Sequence, residues 1–170
     1  MLALENTMRI RDAVHSDLDA IARVQARTTV ASEYYDNSLD EESEYQRLHG
    51  RLVGYFAGTH NPSYSLPERT VLVAEHEGQI IGFVAGHRST RMGCRAELQW
   101  MFVLPQWQRK GTGASLLRHL REWFKVHGST KVIVDAPPQN PYRAFYLKHG
   151  AVPLDEYWLY WENICKISDT

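Results

Sequence analysis

The sequence is short of cysteine: its 170 residues contain only Cys94 and Cys165. Two cysteines this far apart exclude the disulfide framework that holds small secreted proteins together, and they exclude a zinc site built from cysteine alone. No group of His, Cys and carboxylate residues has the spacing of metal ligands, so no metal is expected. We expect two reduced thiols in a cytoplasmic protein.

Long apolar runs and a surplus of basic residues are also missing. The longest apolar stretch, Ile80–Ala85, has the size of a strand and is too short to span a bilayer. The first residues lack the basic start and apolar core of a signal peptide. The sequence contains 19 Lys and Arg residues and 20 Asp and Glu residues, so its formal net charge is −1. We therefore expect neither nucleic acid nor a membrane as a partner.

The chain does contain enough apolar material for one core, with 44% hydrophobic residues, five Trp and nine Tyr. Its length favours a single domain, residues 1–170. The Gly- and Pro-containing segment 58–67 is the candidate linker. We interpret it as a long loop inside that domain, because the 57 residues before it are too few and too helical to bury a core.

The residue pattern predicts the element order β-α-α-β-β-β-α-β-α-β. Helical spacing of apolar residues favours helices from about Ser16, from about Asp40, over Thr112–His127 and over Pro141–His149. Strands are predicted over Met8–Arg11, Thr70–His76, Gln79–His87, Glu97–Leu104, Lys131–Asp135 and Tyr157–Trp161. Three successive strands favour an antiparallel meander, and the later strand-helix-strand unit requires a parallel pair. The predicted class is α+β, a mixed sheet flanked by helices, and not a doubly wound parallel sheet.

One segment joins a strand end, a glycine-containing turn and the start of an amphipathic helix. Its sequence is Gln108-Arg109-Lys110-Gly111-Thr112-Gly113-Ala114. A helix N-terminus offers free N–H groups and a positive dipole end, glycines admit a ligand close to the backbone, and the two basic residues and the Thr112 hydroxyl add to the site. These features indicate a pyrophosphate site. The alternative is a connection whose glycines only make the turn, since neither a Walker A loop nor GxGxxG is present.

The segment Gln108–Gly113 resembles the Q/R-x-x-G-x-G/A acetyl-CoA motif of the GNAT-type N-acetyltransferases. A second block, Ala144–Ala151, resembles the late helix of that family, and the element order is similar over nearly the whole chain. The resemblance implies a mostly antiparallel sheet with a V-shaped split between the fourth and fifth strands. It also implies acetyl-CoA as acetyl donor and direct transfer, in a ternary complex, to a primary amine of a small molecule or peptide.

The resemblance also implies roles for individual residues. A bulge in the fourth strand would direct backbone groups of Met101, Phe102 and Val103 at the pantetheine arm and thioester. The pyrophosphate would lie on Gln108, Arg109, Lys110, Gly111, Thr112, Gly113 and Ala114. Tyr146 matches the general acid that protonates the departing thiolate; the alternative is a tyrosine that only packs in the core. Asn140 resembles a pantetheine-contacting Asn, although it is one residue nearer to the tyrosine than usual, and Gln139 is the alternative.

The base that accepts the amine proton is a separate question. Glu97 is the leading candidate, because a carboxylate on a largely buried strand needs a reason to be there. Strict alternation places it on the same side as Met101. The alternative is a surface ion pair with Arg95 or a neighbour. Asp135 and His87 are weaker candidates, and His87 is expected at the surface.

The remaining expectations concern the acceptor, competing functions and assembly. The acceptor site is expected to come from the first two helices and from loops, with Tyr34, Tyr35 and Asp36 at the helix junction. A non-catalytic acyl-CoA-binding sensor or interaction module on the same fold is the alternative function, and a longer-chain acyltransferase is a third. An aromatic last strand exposed at a sheet edge would allow a homodimer.

Overall fold

The computed structural model describes residues 7–35 and 38–167 and follows the predicted element order with one added strand. Within these ranges the helices are α1 (Leu18–Ala31), α2 (Glu41–Ala57), α3 (Thr112–Val126) and α4 (Arg143–Lys148). The strands are β1 (Arg9–Asp12), β2 (Ser65–His76), β3 (Gln79–Ser89), β4 (Ala96–Val103), β5 (Val132–Asp135), β6 (Val152–Pro153) and β7 (Trp158–Trp161). In the described ranges, no helix is long and apolar enough to cross a membrane.

The strands form one mixed sheet in the order β1-β2-β3-β4-β5-β7-β6. Strands β1 to β4 pair antiparallel, and β4 pairs parallel with β5. The parallel pairing ends at Leu98 opposite Val134, whereas β4 continues to Val103. The two strands therefore separate beyond Leu98 and open the V-shaped split. The predicted fold class, a mixed and mostly antiparallel sheet with this split, is confirmed.

A bulge in β4 decides which of its side chains face which layer. Between Leu98 and Trp100 the pairing with β3 shifts by one residue, so Gln99 is an extra residue in β4. The bulge reverses the alternation, so Glu97 shares its face with Trp100, and Met101 shares the opposite face with Leu98. Strict alternation along this strand, which put Glu97 and Met101 on one side, was therefore wrong. A bulge in this strand was expected, and it lies directly before Trp100 and Met101.

Helices cover both faces of the sheet. The apolar stripe of α3 packs on one face, where Leu116 and Phe124 are fully buried. Gly86 of β3 makes this approach possible, because a Cβ there would lie 2.8 Å from Phe124. Helices α1 and α2 pack together on the opposite face, where Tyr55 of α2 reaches His87 of β3. Buried residues from both layers form one hydrophobic cluster.

The segment 58–67 is a shorter loop than expected. Strand β2 begins at Ser65, which pairs with Ser89, and regular pairing resumes at Arg69. Pro67 lies in the irregular stretch between them, where its missing N–H costs no ladder bond. The Arg69 guanidinium donates to the carbonyls of Tyr55 and His60 and so ties this connection to α2.

The last strand is not a sheet edge, contrary to expectation. Strand β7 lies between β5 and β6, and its Leu159 and Trp161 are buried. The edge strand is β6, which consists of Val152 and Pro153. The sequence pattern did not predict a strand at these residues. A strand that is paired on both sides cannot pair with a second chain, so the stated route to a homodimer was wrong. The homodimer itself stays a prediction.

Candidate active site

A cavity of about 850 Å³ lies beside the end of β4, between α3 and α4. Seven of the residues predicted to bind the cofactor line it: Met101, Val103, Gln108, Arg109, Gly111, Gly113 and Ala114. The cavity therefore brings together the end of β4 and the start of α3.

The N-terminus of α3 forms one polar wall of this cavity. The backbone is left-handed at Arg109, with φ of +59°, and at Gly111, with φ of +86°. Alternating backbone conformations of this kind are typical of anion-binding nests. The first hydrogen bond of the helix runs from the Ser115 N–H to the Gly111 carbonyl at 3.0 Å. The N–H groups of Thr112, Gly113 and Ala114 thus lie outside the ladder of the helix and are available to an anion.

Side-chain hydrogen bonds fix the loop that precedes α3. The Gln108 amide Nε2 donates to the Val103 carbonyl at 2.9 Å and ties the loop to the end of β4. Thr112 is buried, and its Oγ1 donates to the Trp107 carbonyl at 3.5 Å. The hydroxyl therefore does not face the cavity, contrary to the prediction that it adds to the anion site. The Lys110 ammonium lies 5.3 Å from the Trp107 ring centroid, outside the cavity lining. Both side chains therefore stabilise the loop.

Two other predicted cofactor residues have side chains outside the cavity lining. The Phe102 ring lies on the face opposite to Met101, because successive strand residues alternate, and it stacks on Phe83 at 5.8 Å between centroids. The Asn140 Oδ1 accepts a hydrogen bond from the Tyr142 N–H at 2.8 Å, so this side chain supports the turn before α4. Gln139, the alternative, lines a neighbouring cavity of about 670 Å³.

The far wall of the main cavity was not predicted from the sequence. It includes the basic side chains of Arg118, Arg121, Lys148 and His149, and it includes Tyr142 and Phe145. Arg118 and Arg121 could have been found, because they follow Ala114 and Gly113 by one and two helical turns and so share a face of α3. Three cationic side chains in this wall, Arg118, Arg121 and Lys148, together with Arg109, suit a ligand that carries several negative charges.

Tyr146 lies in α4, is 4% exposed and is not among the residues that line the cavity, although its neighbour Phe145 is. Its ring packs edge-to-face on Trp161, with 5.9 Å between centroids. Burial raises the pKa of the Tyr146 hydroxyl, and nearby Tyr142 and Asp135 raise it further. The phenol is therefore held in its protonated form, which is the form that a proton donor needs.

Glu97 is also buried, at 4% exposure, so the predicted surface position was wrong, but the predicted ion pair with a neighbour is present. Its Oε2 accepts a hydrogen bond from the Arg91 Nε at 2.9 Å and lies 3.5 Å from the His87 Nε2. The partner of Glu97 in this ion pair is Arg91 and not Arg95, the residue that was named first in the prediction. His87 is fully buried, contrary to the expected surface position, because β3 continues to Ser89 and α2 covers it. The structure thus places two of the three base candidates, Glu97 and His87, next to each other.

The third base candidate, Asp135, ends β5 beside the split and is exposed. Partial loss of solvent raises the pKa of its carboxyl, the charge of Glu97 raises it further, and Arg91 acts in the opposite direction. The charge of Glu97 therefore acts on the Asp135 carboxyl.

The junction of α1 and α2 lies near the same region. The rings of Tyr34 and Tyr35 pack edge-to-face with 4.8 Å between centroids. Burial raises the pKa of the Tyr35 hydroxyl, and the neighbouring charges include Asp135. Asp36 lies outside the described residues. An acceptor site at the helix junction stays a prediction.

Comparisons with known proteins agree with this geometry. The sequence matches the acetyltransferase (GNAT) domain family over residues 67–150. The uncharacterized N-acetyltransferase YuaI of Bacillus subtilis (strain 168) is 29% identical over 146 residues, which cover 81% of this chain and 76% of that protein.

Two solved structures share the fold of this chain. The PaiA N-acetyltransferase of Thermoplasma acidophilum, in complex with coenzyme A, has a TM-score of 0.66 and 21% identity over 92% of this chain and 99% of that one. A GNAT family acetyltransferase of Brucella melitensis, in complex with acetyl-CoA, has a TM-score of 0.65 and 22% identity over 93% of this chain and 89% of that one.

Proposed function

Because the chain belongs to the GNAT acetyltransferases, we propose that it transfers the acetyl group of acetyl-CoA directly to a primary amine of a small molecule or peptide, in a ternary complex. The observation that carries the proposal is the cavity that joins the α3 N-terminus to the split in the sheet. We further propose that residues 1–170 form one domain, supported by the single hydrophobic cluster. A cytoplasmic location is supported by the unpaired Cys94 and Cys165.

The basic residues of the cavity lining suit the charge of the acetyl donor. The phosphates would lie on the N–H groups of residues 112–114, with Arg109, Arg118 and Lys148 as balancing charges. The pantetheine arm would follow β4 beyond Leu98, where the β4 backbone is not paired with β5 in the described part of the chain. A free N–H between Met101 and Val103 would then stabilise negative charge on the thioester oxygen. When bound, acetyl-CoA supplies an acetyl group that is activated towards amines.

Two side chains would move the protons. Tyr146 would protonate the thiolate as it departs, supported by a hydroxyl that burial keeps protonated. Glu97 would accept the proton of the attacking amine, directly or through water, supported by its burial on the strand that borders the split. Asp135 is the competing carboxylate at the same opening.

The first test is a calorimetric titration with acetyl-CoA, followed by transfer assays with a panel of primary amines. We expect one site per chain and a micromolar Kd, about −8 kcal/mol. A folded protein that does not bind acetyl-CoA would contradict the proposal. Binding without transfer to any amine of a broad panel would instead favour the non-catalytic acyl-CoA sensor. Competition by longer acyl-CoAs would test for a longer-chain acyltransferase.

The choice of base is tested by two matched amide substitutions. We expect Glu97→Gln to lower kcat/KM at least about 100-fold, because general base catalysis is lost, and to leave acetyl-CoA affinity unchanged. Asp135→Asn should have a smaller effect. Glu68→Gln, which removes an exposed carboxylate paired with Arg88, is the control for loss of charge. The reverse order, with Asp135→Asn inactive and Glu97→Gln active, would assign the base to Asp135.

A further inference from the structure

Two buried side chains stand behind Glu97 on the α2 face of the sheet. The Tyr55 hydroxyl lies 3.0 Å from the His87 Nδ1, and the His87 Nε2 lies 3.5 Å from the Glu97 Oε2. Tyr55 and His87 are both fully buried. We propose that His87 is a positioning residue for Glu97: Tyr55 locks the imidazole in the tautomer that carries hydrogen on Nε2, and this N–H lies beside the carboxylate.

The tautomer follows from the hydrogen-bonding needs of the three groups. Burial raises the pKa of the Tyr55 hydroxyl, so the phenol keeps a hydrogen to donate. If the hydroxyl donates to Nδ1, then the hydrogen of a neutral imidazole lies on Nε2 and faces the carboxylate. The opposite tautomer would direct the lone pair of Nε2 at a negatively charged oxygen and would leave the hydrogen of the phenol to find another acceptor. The first arrangement is therefore the favoured one.

The contact between His87 and Glu97 is electrostatic in character. The His87 Nε2 is inaccessible to solvent and has no closer hydrogen-bond partner among the described residues. At 3.5 Å the Nε2–H and the carboxylate form at best a weak hydrogen bond, but their charges still attract in a poorly solvated site. A base that is held by Arg91 on one side and contacted by His87 on the other has a fixed orientation.

Other titratable and charged groups surround this pair. Arg91, from the turn before β4, donates to the same Oε2, and Asp135 of β5 adds negative charge. Burial raises the pKa of the Cys94 thiol, and the charge of Glu97 raises it further. The Arg69 guanidinium of β2 lies 4.8 Å from the centre of the Tyr55 ring. A substitution at His87 leaves all of these side chains in the sequence, so the variant and the unmodified protein differ in the imidazole alone.

This inference rests on the proposed role of Glu97, but its first test needs no acetyl transfer. Long-range 15N–1H correlation spectra of the whole protein, labelled with 15N-histidine, report the tautomer of each histidine. His87 is assigned by the signals that disappear in His87→Gln. We expect hydrogen on Nε2 in the unmodified protein and a mixture of tautomers in Tyr55→Phe. Hydrogen on Nδ1 in the unmodified protein would overturn the proposal.

The second test is the pH profile of kcat/KM. We expect His87→Leu to move the acid limb about one pH unit higher, because removal of a donor disfavours the charged carboxylate. His87→Gln should restore the position of the limb, since its side-chain amide supplies an N–H at similar reach. A purely structural role would lower the rate equally at all pH values without moving the limb, and this result would refute the positioning role. A protein without any transferase activity would contradict the proposed function, while the spectra would still decide the tautomer.

Discussion

Gly113→Asp is expected to weaken acetyl-CoA binding by at least about 100-fold, or about 2.7 kcal/mol. Gly113 lines the cavity in the first turn of α3, where the free N–H groups would receive the phosphates. A carboxylate there would occupy that space and repel the phosphates. Two unit charges 4 Å apart near a protein surface interact by about 4 kcal/mol, so the repulsion alone exceeds the expected loss.

Two control variants separate charge from other effects of this substitution. A Cβ at Gly113 would lie 3.3 Å from the Phe145 ring, so Gly113→Ala measures the crowding without the charge, and we expect it to bind much better than Gly113→Asp. Gly50→Asp introduces the same side chain into an open position on α2 and should bind normally. Gly111 is a poorer choice, because its φ of +86° strains any other residue. Calorimetry of all three variants is the measurement, and unchanged affinity of Gly113→Asp would remove the pyrophosphate site from the proposal.

Tyr146→Phe is expected to lower kcat about 100-fold or more while acetyl-CoA affinity stays within about twofold. The variant keeps the ring that packs on Trp161, so the fold should be preserved, and it removes only the hydroxyl that would protonate the thiolate. Because burial raises the pKa of this hydroxyl, the unmodified protein should not lose activity through Tyr146 ionisation between about pH 7 and pH 9.

Steady-state kinetics with a free-thiol assay, together with calorimetry, would measure the effect of Tyr146→Phe. Tyr160→Phe is the matched control, since it removes a tyrosine hydroxyl from β7, where the ring lies 5.7 Å from the Lys131 ammonium. A full rate in Tyr146→Phe would show that water or another residue supplies the proton. A loss of affinity together with rate would instead show that the hydroxyl contributes to binding.

The sequence alone determined those features that depend on local pattern. Period-two and helical spacing located the strands of the meander and the amphipathic α3, because such periodicity records which side of each element is buried. The glycine-containing turn before α3 was also readable, since a strand end, glycines and a helix start are adjacent along the chain. The motif residues Gly111 and Gly113 accordingly line the cavity.

Tertiary structure alone decided the features that depend on contacts between distant segments. The bulge at Gln99 separates Glu97 from Met101, and alternation along one strand cannot reveal a register shift against its neighbour. The place of β7 inside the sheet follows from its pairing with β5 and β6. The burial of His87 requires the packing of α2 on β3, which brings Tyr55 to it across 32 positions of sequence. Local periodicity thus gave the elements and one wall of the site, whereas strand register and helix packing, which are long-range interactions, decided the opposite wall and the surroundings of the candidate base.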